Sequence, residues 1–164
     1  GNRILIVTNG GGFGVIVADH CSENGLEVPP PSPQLREKLG SKFSTFYVVN
    51  NPVDLTGSAC DRDYYIALNA CMIESDEYDA AIIIPLMAPQ GMSEKVVDLI
   101  TETMNRSGKP AVICTVGGAF TMKIKGLFEE REFPVYPSPE RSARAMSMLL
   151  KRRVLQEGAV RSAI

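Results

Sequence analysis

The sequence of 164 residues contains no tryptophan and only one histidine, His20. A zinc site or a Ser-His-Asp triad is difficult to build around a single imidazole, so a self-contained metalloenzyme or serine hydrolase is not expected. Seventeen Lys and Arg residues nearly balance nineteen Asp and Glu residues, which gives a net charge of −2. The sequence lacks the basic excess typical of proteins that bind nucleic acids or anionic membranes, and we expect neither partner.

Long hydrophobic runs and cysteine motifs are also missing. Apolar runs such as 80–84 are much shorter than the roughly 20 residues that a membrane-spanning helix needs. No CxxC pair and no metal-ligand spacing occurs, so we expect no metal site and interpret all four cysteines as reduced core thiols. These are Cys21, Cys60, Cys71 and Cys114. Because Arg3 leads directly into a strand-like run without a signal peptide before it, we expect a cytoplasmic protein.

Short apolar runs alternate with amphipathic segments, a pattern typical of a parallel sheet covered by helices on both faces. The predicted strands are 3–8, 26–28, 80–86, 110–116 and 133–136. The predicted helices are 13–24, 32–39, 61–74, 93–105, 119–131 and 139–153. This order predicts an α/β fold for residues 2–153, a flavodoxin-like three-layer doubly wound sheet of five mainly parallel strands in the order 2-1-3-4-5. Residues 154–164 are predicted to form a C-terminal extension or linker.

A sheet of this order binds ligands at the carboxyl ends of strands 1 and 3, where the chain changes direction. The loop after strand 1 reads Thr8-Asn9-Gly10-Gly11-Gly12-Phe13-Gly14. Glycines allow the backbone N–H groups at a helix N-terminus to approach an anion closely. The loop is not a dinucleotide fingerprint, because Val15 or Val17 stands where GxGxxG needs glycine, and no Walker A lysine follows. It is either a site for a phosphate-sized anion or a tight turn without a ligand.

The loop after strand 3 contains Pro89, Gln90 and Gly91 and precedes a predicted helix at Ser93. Its free N–H groups are predicted to face the same crevice, although such a segment alone is also an ordinary helix cap. His20 lies near the end of the first predicted helix, away from the crevice. A surface or capping role there is favoured over a catalytic one.

Four segments occur in an order that resembles a known family. They are Thr-Asn-Gly-Gly-Gly-Phe-Gly at 8–14, Asn-Pro-Val-Asp-Leu at 51–55, Lys-Pro at 109–110 and Phe-Pro-Val-Tyr-Pro-Ser-Pro-Glu-Arg at 133–141. Over about residues 2–153 the chain resembles the flavodoxin-like ligase domain of nucleoside-diphosphate-forming acyl-CoA synthetases, which are relatives of succinyl-CoA synthetase. The resemblance implies one part of an acid–thiol ligase that interconverts acyl-CoA, ADP and phosphate with the free acid, CoA and ATP.

In that family an acyl phosphate passes its phosphoryl group to a histidine on a mobile loop, and helix N-termini from two flavodoxin-like domains hold the phosphohistidine. The family's histidine lies in a Gly-His-Thr-Gly or Gly-His-Ala-Gly segment, which the surroundings of His20 do not match, so no catalytic residue is assigned. Asp54 is expected to brace the crevice through hydrogen bonds, with a catalytic role as the alternative. The resemblance implies contact with phosphate or the phosphohistidine loop for Asn9, Gly10, Gly11, Gly12, Gly14, Pro89, Gln90 and Gly91. It leaves open which of the two loops caps the phosphohistidine.

The resemblance also implies partners. These are a domain that binds CoA and carries the phosphohistidine, and an ATP-grasp domain, in the same chain or in another subunit. The complete enzyme would use CoA, ADP or ATP and magnesium, whereas this domain would bind no cofactor itself and would be inactive alone. The alternative is a free-standing flavodoxin-like binding or regulatory module without catalysis. A flavin-binding flavodoxin is disfavoured, because tryptophan and a Ser/Thr-rich phosphate loop are both missing.

Overall fold

A computed structural model describes the backbone of residues 1–161 and the side chains of residues 1–153. Its centre is one sheet of five parallel strands in the order β2-β1-β3-β4-β5. The strands are β1 (Ile4–Thr8), β2 (Val53–Asp54), β3 (Ala80–Ile84), β4 (Ala111–Cys114) and β5 (Val135–Tyr136). The predicted strand order is confirmed.

Six α-helices cover the two faces of the sheet. They are α1 (Gly11–Glu23), α2 (Pro33–Gly40), α3 (Asp61–Leu68), α4 (Lys95–Ser107), α5 (Ala119–Glu130) and α6 (Pro139–Arg161), and a π-helical turn, Asn69–Ile73, extends α3. α1 and α6 pack on one face, and α2 to α5 pack on the other, which confirms the doubly wound three-layer fold. Residues 162–164 of the predicted extension lie outside the described residues. Among those described, no helix has both the length and the hydropathy of a membrane span.

The strands are buried on both sides, which explains their nearly uniform apolar sequence. Along β1, Ile4 and Ile6 point to the α1 and α6 side, whereas Leu5 and Val7 point to the opposite side. All four side chains have no solvent exposure. Such burial on both faces removes the polar alternation seen in half-exposed strands.

The predicted strand at 26–28 is wrong. Glu27 makes only one isolated parallel bridge, to Arg3. The strand that pairs with this edge of β1 is instead Val53–Asp54, which aligns with Val7 and Thr8. Three consecutive prolines, 29–31, follow the predicted segment and have no N–H groups with which to continue a ladder.

A side chain occupies the part of the β1 edge that β2 does not reach. The Asn51 Oδ1 atom accepts a hydrogen bond from the Ile6 N–H at 2.9 Å, and its Nδ2 atom donates to the Ile4 carbonyl at 2.8 Å. The same Nδ2 donates to the Pro29 carbonyl at 3.0 Å. The amide thus has the hydrogen-bonding role of a missing strand residue, and it satisfies two buried backbone groups.

At the amino end of the sheet, a charged pair joins the start of β1 to the start of β3. The Asp79 carboxylate accepts hydrogen bonds from the Arg3 backbone N–H at 3.0 Å and from Nε and Nη2 at 2.9 Å each. These guanidinium hydrogen bonds lower the pKa of Asp79 to about 2. The first strand is therefore fixed at two places, by a side-chain amide along its edge and by this ion pair at its start.

Candidate functional site

A cavity of about 420 Å³ lies at the carboxyl edge of the sheet, beyond β1, β3 and β4. It is bounded by the first turn of α1, the segment after β3 and the loop from β4 into α5; its lining residues are Phe13, 86–88 and 116–121. Two larger cavities, of about 570 and 550 Å³, lie at the opposite edge, beside the C-terminal ends of α1 and α4. The smaller cavity is at the edge where parallel α/β sheets bind ligands, and it is bordered by helix N-termini.

The N-terminus of α1 has unused hydrogen-bond donors. Gly10 is the N-cap residue and provides no side-chain cap, and the first turn contains no acidic residue. The amides of Phe13 and Gly14 donate to the Gly10 carbonyl at 3.0 and 3.3 Å. The amides of Gly11 and Gly12 donate to no acceptor within residues 1–161. These two donors, together with the positive end of the helix dipole, favour an anion.

The four glycines of this loop have different surroundings. A Cβ atom on Gly10 would collide with Leu86, and one on Gly11 would collide with the Asp54 carboxylate. A Cβ atom on Gly14 would lie 2.9 Å from Thr8 Cγ2, so this glycine lets α1 pack closely on the sheet. Gly12 is exposed, and a Cβ atom there would meet nothing within 4 Å. Gly12 is therefore the position in this loop at which a side chain would face open space without disturbing the fold.

The side chain of Asn9 connects the two predicted site loops. It is 4% exposed; its Nδ2 atom donates to the Leu86 carbonyl at 2.8 Å, and its Oδ1 atom accepts from the Leu86 N–H at 2.8 Å. Close by, the buried Tyr64 hydroxyl donates to the Ile84 carbonyl at 2.8 Å, and burial raises the pKa of Tyr64 well above its usual value. The Asn9 amide is thus engaged within the fold, where it sets the spacing of the loops after β1 and β3.

Asp54 ends β2 beside the N-terminus of α1. Its Oδ1 atom accepts a hydrogen bond from the Thr56 N–H at 2.9 Å, and its Oδ2 atom lies against Gly11. This places a carboxylate next to the glycine loop, on the side away from the cavity lining. The bracing role of Asp54 stays a prediction.

The loop before α4 is arranged differently from the glycine loop. The Ser93 N–H donates to the Asp61 carboxylate at 2.8 Å, and the Ser93 hydroxyl donates to the same carboxylate. A carboxylate from α3 therefore already lies directly before the start of α4, although it does not bond to an amide of the helix itself. Gly91 packs against Ala59 and Cys60, and the cavity lining does not include Pro89, Gln90 or Gly91. Their contact with phosphate stays a prediction.

The loop from β4 into α5 was not assigned to the site by the sequence, although it lines the cavity. Gly118 caps α5 without a side-chain hydrogen bond, and the first turn has no acidic residue. Among residues 1–161, no acceptor receives the amides of Ala119 and Phe120. Gly117 has φ = 150°, a conformation that favours glycine. The Gly-Gly pair after β4 repeats the pattern of the glycine loop after β1. This repetition could have indicated from the sequence that the loop belongs to the site.

The lining of the cavity is mostly apolar. Phe13, Leu86, Val116 and Phe120 supply apolar walls, and none of the residues lining it in the described chain is titratable. His20 lies near the far end of α1, where its Nδ1 atom is 2.8 Å from Glu23 Oε2. No group of His, Cys, Asp and Glu in the described residues is arranged to hold a metal ion. The cavity thus combines apolar walls with the N-termini of two helices.

Comparisons with known proteins connect this architecture to a family. The profile of the Ligase-CoA domain matches residues 4–146. The alpha subunit of ADP-forming acetate–CoA ligase I from Pyrococcus furiosus is 31% identical over 153 residues, which cover 92% of this chain and 33% of that protein. The alpha subunit of ligase II from the same organism is 32% identical over 156 residues, covering 92% and 34%.

A solved structure gives the same relationship in three dimensions. Acetyl-coenzyme A synthetase 1 of Ca. Korarchaeum cryptofilum, described as dinucleotide forming, superposes with a TM-score of 0.85 and 27% identity. The match covers 100% of this chain and 36% of that one, both for the apo form and for the complex with phosphate and ADP. The chain thus spans about a third of the length of these relatives. It belongs to the Ligase-CoA domain family.

Proposed function

We propose that this chain is a domain of an ADP-forming acyl-CoA synthetase, which converts acyl-CoA, ADP and phosphate into the free acid, CoA and ATP. Within that enzyme it helps to form the site for the acyl phosphate and the phosphohistidine, and it contributes to subunit contacts. One observation carries this proposal: the uncapped first turns of α1 and α5 border one cavity. The names of the relatives support the reaction.

The physical role of the domain is to hold a phosphoryl group without a resident cation. The unbonded amides of Gly11 and Gly12 offer two hydrogen bonds at the positive end of α1. Hydrogen bonds to an ionised acceptor are roughly twice as strong as neutral ones, and the helix dipole adds about 0.3–1 kcal/mol for a nearby anion. The carboxylate of Asp61 already lies at the start of α4, where it accepts a hydrogen bond from the Ser93 N–H. We therefore assign the phosphohistidine cap to α1, with α5 facing it across the cavity.

The chemistry requires groups that this domain does not supply. The nucleophilic histidine, the CoA site and the nucleotide site with magnesium are assigned to a CoA-binding and phosphohistidine domain and to an ATP-grasp domain. The Ca. Korarchaeum cryptofilum relative has been solved in complex with phosphate and ADP, which supports these two ligands for the complete enzyme. The isolated chain is therefore proposed to be inactive. We assign the enzyme to the cytoplasm, because all four cysteines are free thiols and three of them are buried.

A reconstitution assay tests the proposal. Acetyl-CoA, ADP, phosphate and magnesium are supplied to this chain alone, to the complementary domains alone and to the mixture, and ATP formation is followed. We expect ATP only from the mixture. ATP from the chain alone would contradict its proposed inactivity. If a panel of acyl-CoAs with ADP and GDP gives no ATP with competent complementary domains, the chain is a binding or regulatory module instead.

A charge test at Gly12 locates the site within the domain. Gly12→Asp places a carboxylate at the open end of α1, and Gly12→Asn is the neutral control of nearly the same shape. Because a side chain at Gly12 meets no protein atom within 4 Å, both variants are expected to fold. Turnover by the mixture is expected to fall at least tenfold more for Asp than for Asn, since a carboxylate and a dianion within about 6 Å repel by about 1.4 kcal/mol even in water. Equal turnover by the two variants would contradict an anion site at α1.

A further inference from the structure

The outer face of α6 is built differently from an ordinary solvent-exposed helix face. The inner face is buried and packs on the sheet through Ser142, Ala143, Met146, Ser147 and Leu150. The outer face of α6 consists of Arg141, Arg144, Ala145, Met148, Leu149 and Arg152. Their spacing of i, i+3, i+4, i+7, i+8 and i+11 places them on one side of the helix. Met148 is 63% exposed and Leu149 is 41% exposed, so two large apolar side chains face solvent at the centre of this side.

Two cavities border the outer face of α6 at different points along the helix. The first, of about 370 Å³, is lined by Tyr136, Arg141, Arg144, Ala145 and Met148. The second, of about 550 Å³, has apolar walls that include Met104, Pro110 and Leu149. Its cationic side chains are Lys109, Arg152 and Arg153. Each cavity therefore combines an apolar wall with basic groups, and no carboxylate of a described residue lines either one.

Within residues 1–153, no carboxylate pairs with the arginines at 141, 144 and 152 of this face. Some cations on other faces do form ion pairs: Arg131 lies 2.6 Å from an Asp98 oxygen, and Lys123 lies 2.6 Å from a Glu94 oxygen. Unpaired arginines on a chain with a net charge of −2 are complementary to an acidic partner.

We propose that the outer face of α6 is a docking surface for a protein partner whose contact surface has apolar side chains surrounded by carboxylates. The cavities are concave, so they accept protruding side chains, as the pockets of protein interfaces do. Arg, Met and Tyr are the residue types enriched at such interfaces. A nucleic-acid backbone would meet Met148 and Leu149 between the arginines without an apolar group to cover them. This surface goes beyond the function proposed above and does not depend on it, because the crevice at α1 and α5 shares no residue with it.

A defined probe tests this docking surface. The probe is a fluorescein-labelled, end-blocked helical peptide with a leucine stripe flanked by glutamates, and its control has lysine at every glutamate position. Binding to the full chain is measured by fluorescence anisotropy at low and physiological ionic strength. We expect the acidic peptide to bind at least tenfold more tightly than the basic peptide, with hydrogen-exchange protection at the outer face of α6. The affinity is expected to fall as salt increases, since the arginine contacts are screened.

Two double variants test the charged contacts and the apolar contacts of the docking surface separately. Arg141→Glu with Arg144→Glu is expected to weaken binding of the acidic peptide at least tenfold. The matched control, Arg36→Glu with Arg62→Glu, reverses two exposed arginines on other helices and is expected to leave the affinity within about twofold. Met148→Ser with Leu149→Ser is also expected to weaken binding at least tenfold, because the apolar contact is lost. Thermal unfolding by circular dichroism verifies that each variant is folded.

Several results would overturn the docking surface. Equal affinity for the acidic and the basic peptide would contradict charge complementarity. An equal loss of affinity in the control variant would show that the charge effect does not come from the outer face of α6. Absence of binding by the acidic peptide would contradict the proposal. Competition by duplex DNA at a similar concentration would assign the face to nucleic acid. Self-association of the chain that is lost on Met148→Ser would assign it to a second copy.

Discussion

Asn51 allows a quantitative test of how the β1 edge is completed. Replacing it by alanine leaves the Ile6 N–H and the Ile4 carbonyl without their partners at 2.9 and 2.8 Å. An unsatisfied buried backbone group costs about 1–3 kcal/mol. Asn51 is only 8% exposed, but it lies at the sheet edge, where water can partly replace the amide. Two such terms sum to about 2–6 kcal/mol, and with this partial replacement by water we expect Asn51→Ala to lower the free energy of unfolding by about 2–4 kcal/mol.

The corresponding assay is thermal and urea unfolding followed by circular dichroism. For a domain of this size the loss corresponds to a decrease in Tm of about 5–15 °C. Asn50→Ala is the matched control, because that side chain accepts only a long hydrogen bond of 3.5 Å from Arg36, and it is expected to change stability by less than about 0.5 kcal/mol. A change for Asn51→Ala as small as that of the control would refute the reasoning.

Asn51→Asp separates the donor role from the acceptor role. The carboxylate still accepts from the Ile6 N–H, but it cannot donate to the Ile4 carbonyl and faces that oxygen with a negative charge. We expect a larger loss of stability than for alanine at neutral pH. The protonated acid can donate a hydrogen bond, and the unfavourable charge raises the folded pKa above the unfolded value of about 3.9, so the deficit relative to the native protein is expected to shrink as the pH falls toward about 4. A deficit that does not depend on pH would contradict the donor role.

Three further predictions concern other parts of the fold. Because the folded pKa of Asp79 is about 2, below the unfolded value of about 3.9, its pair with Arg3 stabilises the fold above pH 4 and is lost as the pH falls through 2. Arg3→Ala should remove this dependence, and an unchanged profile of unfolding free energy against pH would contradict it. Tyr64→Phe leaves the Ile84 carbonyl without its 2.8 Å donor. The free energy of unfolding measured in urea should fall by about 1–3 kcal/mol, and an unchanged value would contradict this hydrogen bond. Gly91→Ala places a Cβ atom 2.7 Å from the Ala59 carbonyl oxygen and should lower Tm. Gly57→Ala is the control, because a Cβ atom there would meet nothing within 4 Å. Equal Tm values for the two variants would contradict the close packing at Gly91.

The sheet order was predictable because long, fully buried strands leave a clear pattern. Strands β1 and β3 are continuous apolar runs, and each is followed by a helix of recognisable period. β2 was not predictable, because a strand of two residues shows no periodicity. The remaining part of the β1 edge bonds to the side-chain amide of Asn51 instead of to a strand. The run at 26–28 was misassigned because its composition is strand-like, although it makes only one bridge.

The candidate site was predicted in part. The glycine loop was recognised from its composition, and the cavity does lie at the expected edge of the sheet. The sequence does not distinguish Gly12, which faces open space, from Gly10, Gly11 and Gly14, whose neighbours come from distant parts of the chain. It also does not show that the Asp61 carboxylate lies at the start of α4, whereas the first turn of α5 has no acidic residue. Both features depend on tertiary contacts.

The two hydrogen bonds between Asn9 and Leu86 have a thermodynamic consequence for any ligand of the crevice. Two hydrogen bonds of 2.8 Å fix the loops after β1 and β3 in the free protein. The conformational entropy of these loops is therefore lost during folding and not during binding. A ligand meets a preorganised surface, and more of its contact energy appears as affinity. The same rigidity limits induced fit, so selectivity among ligands must come from the shape of the cavity rather than from loop closure.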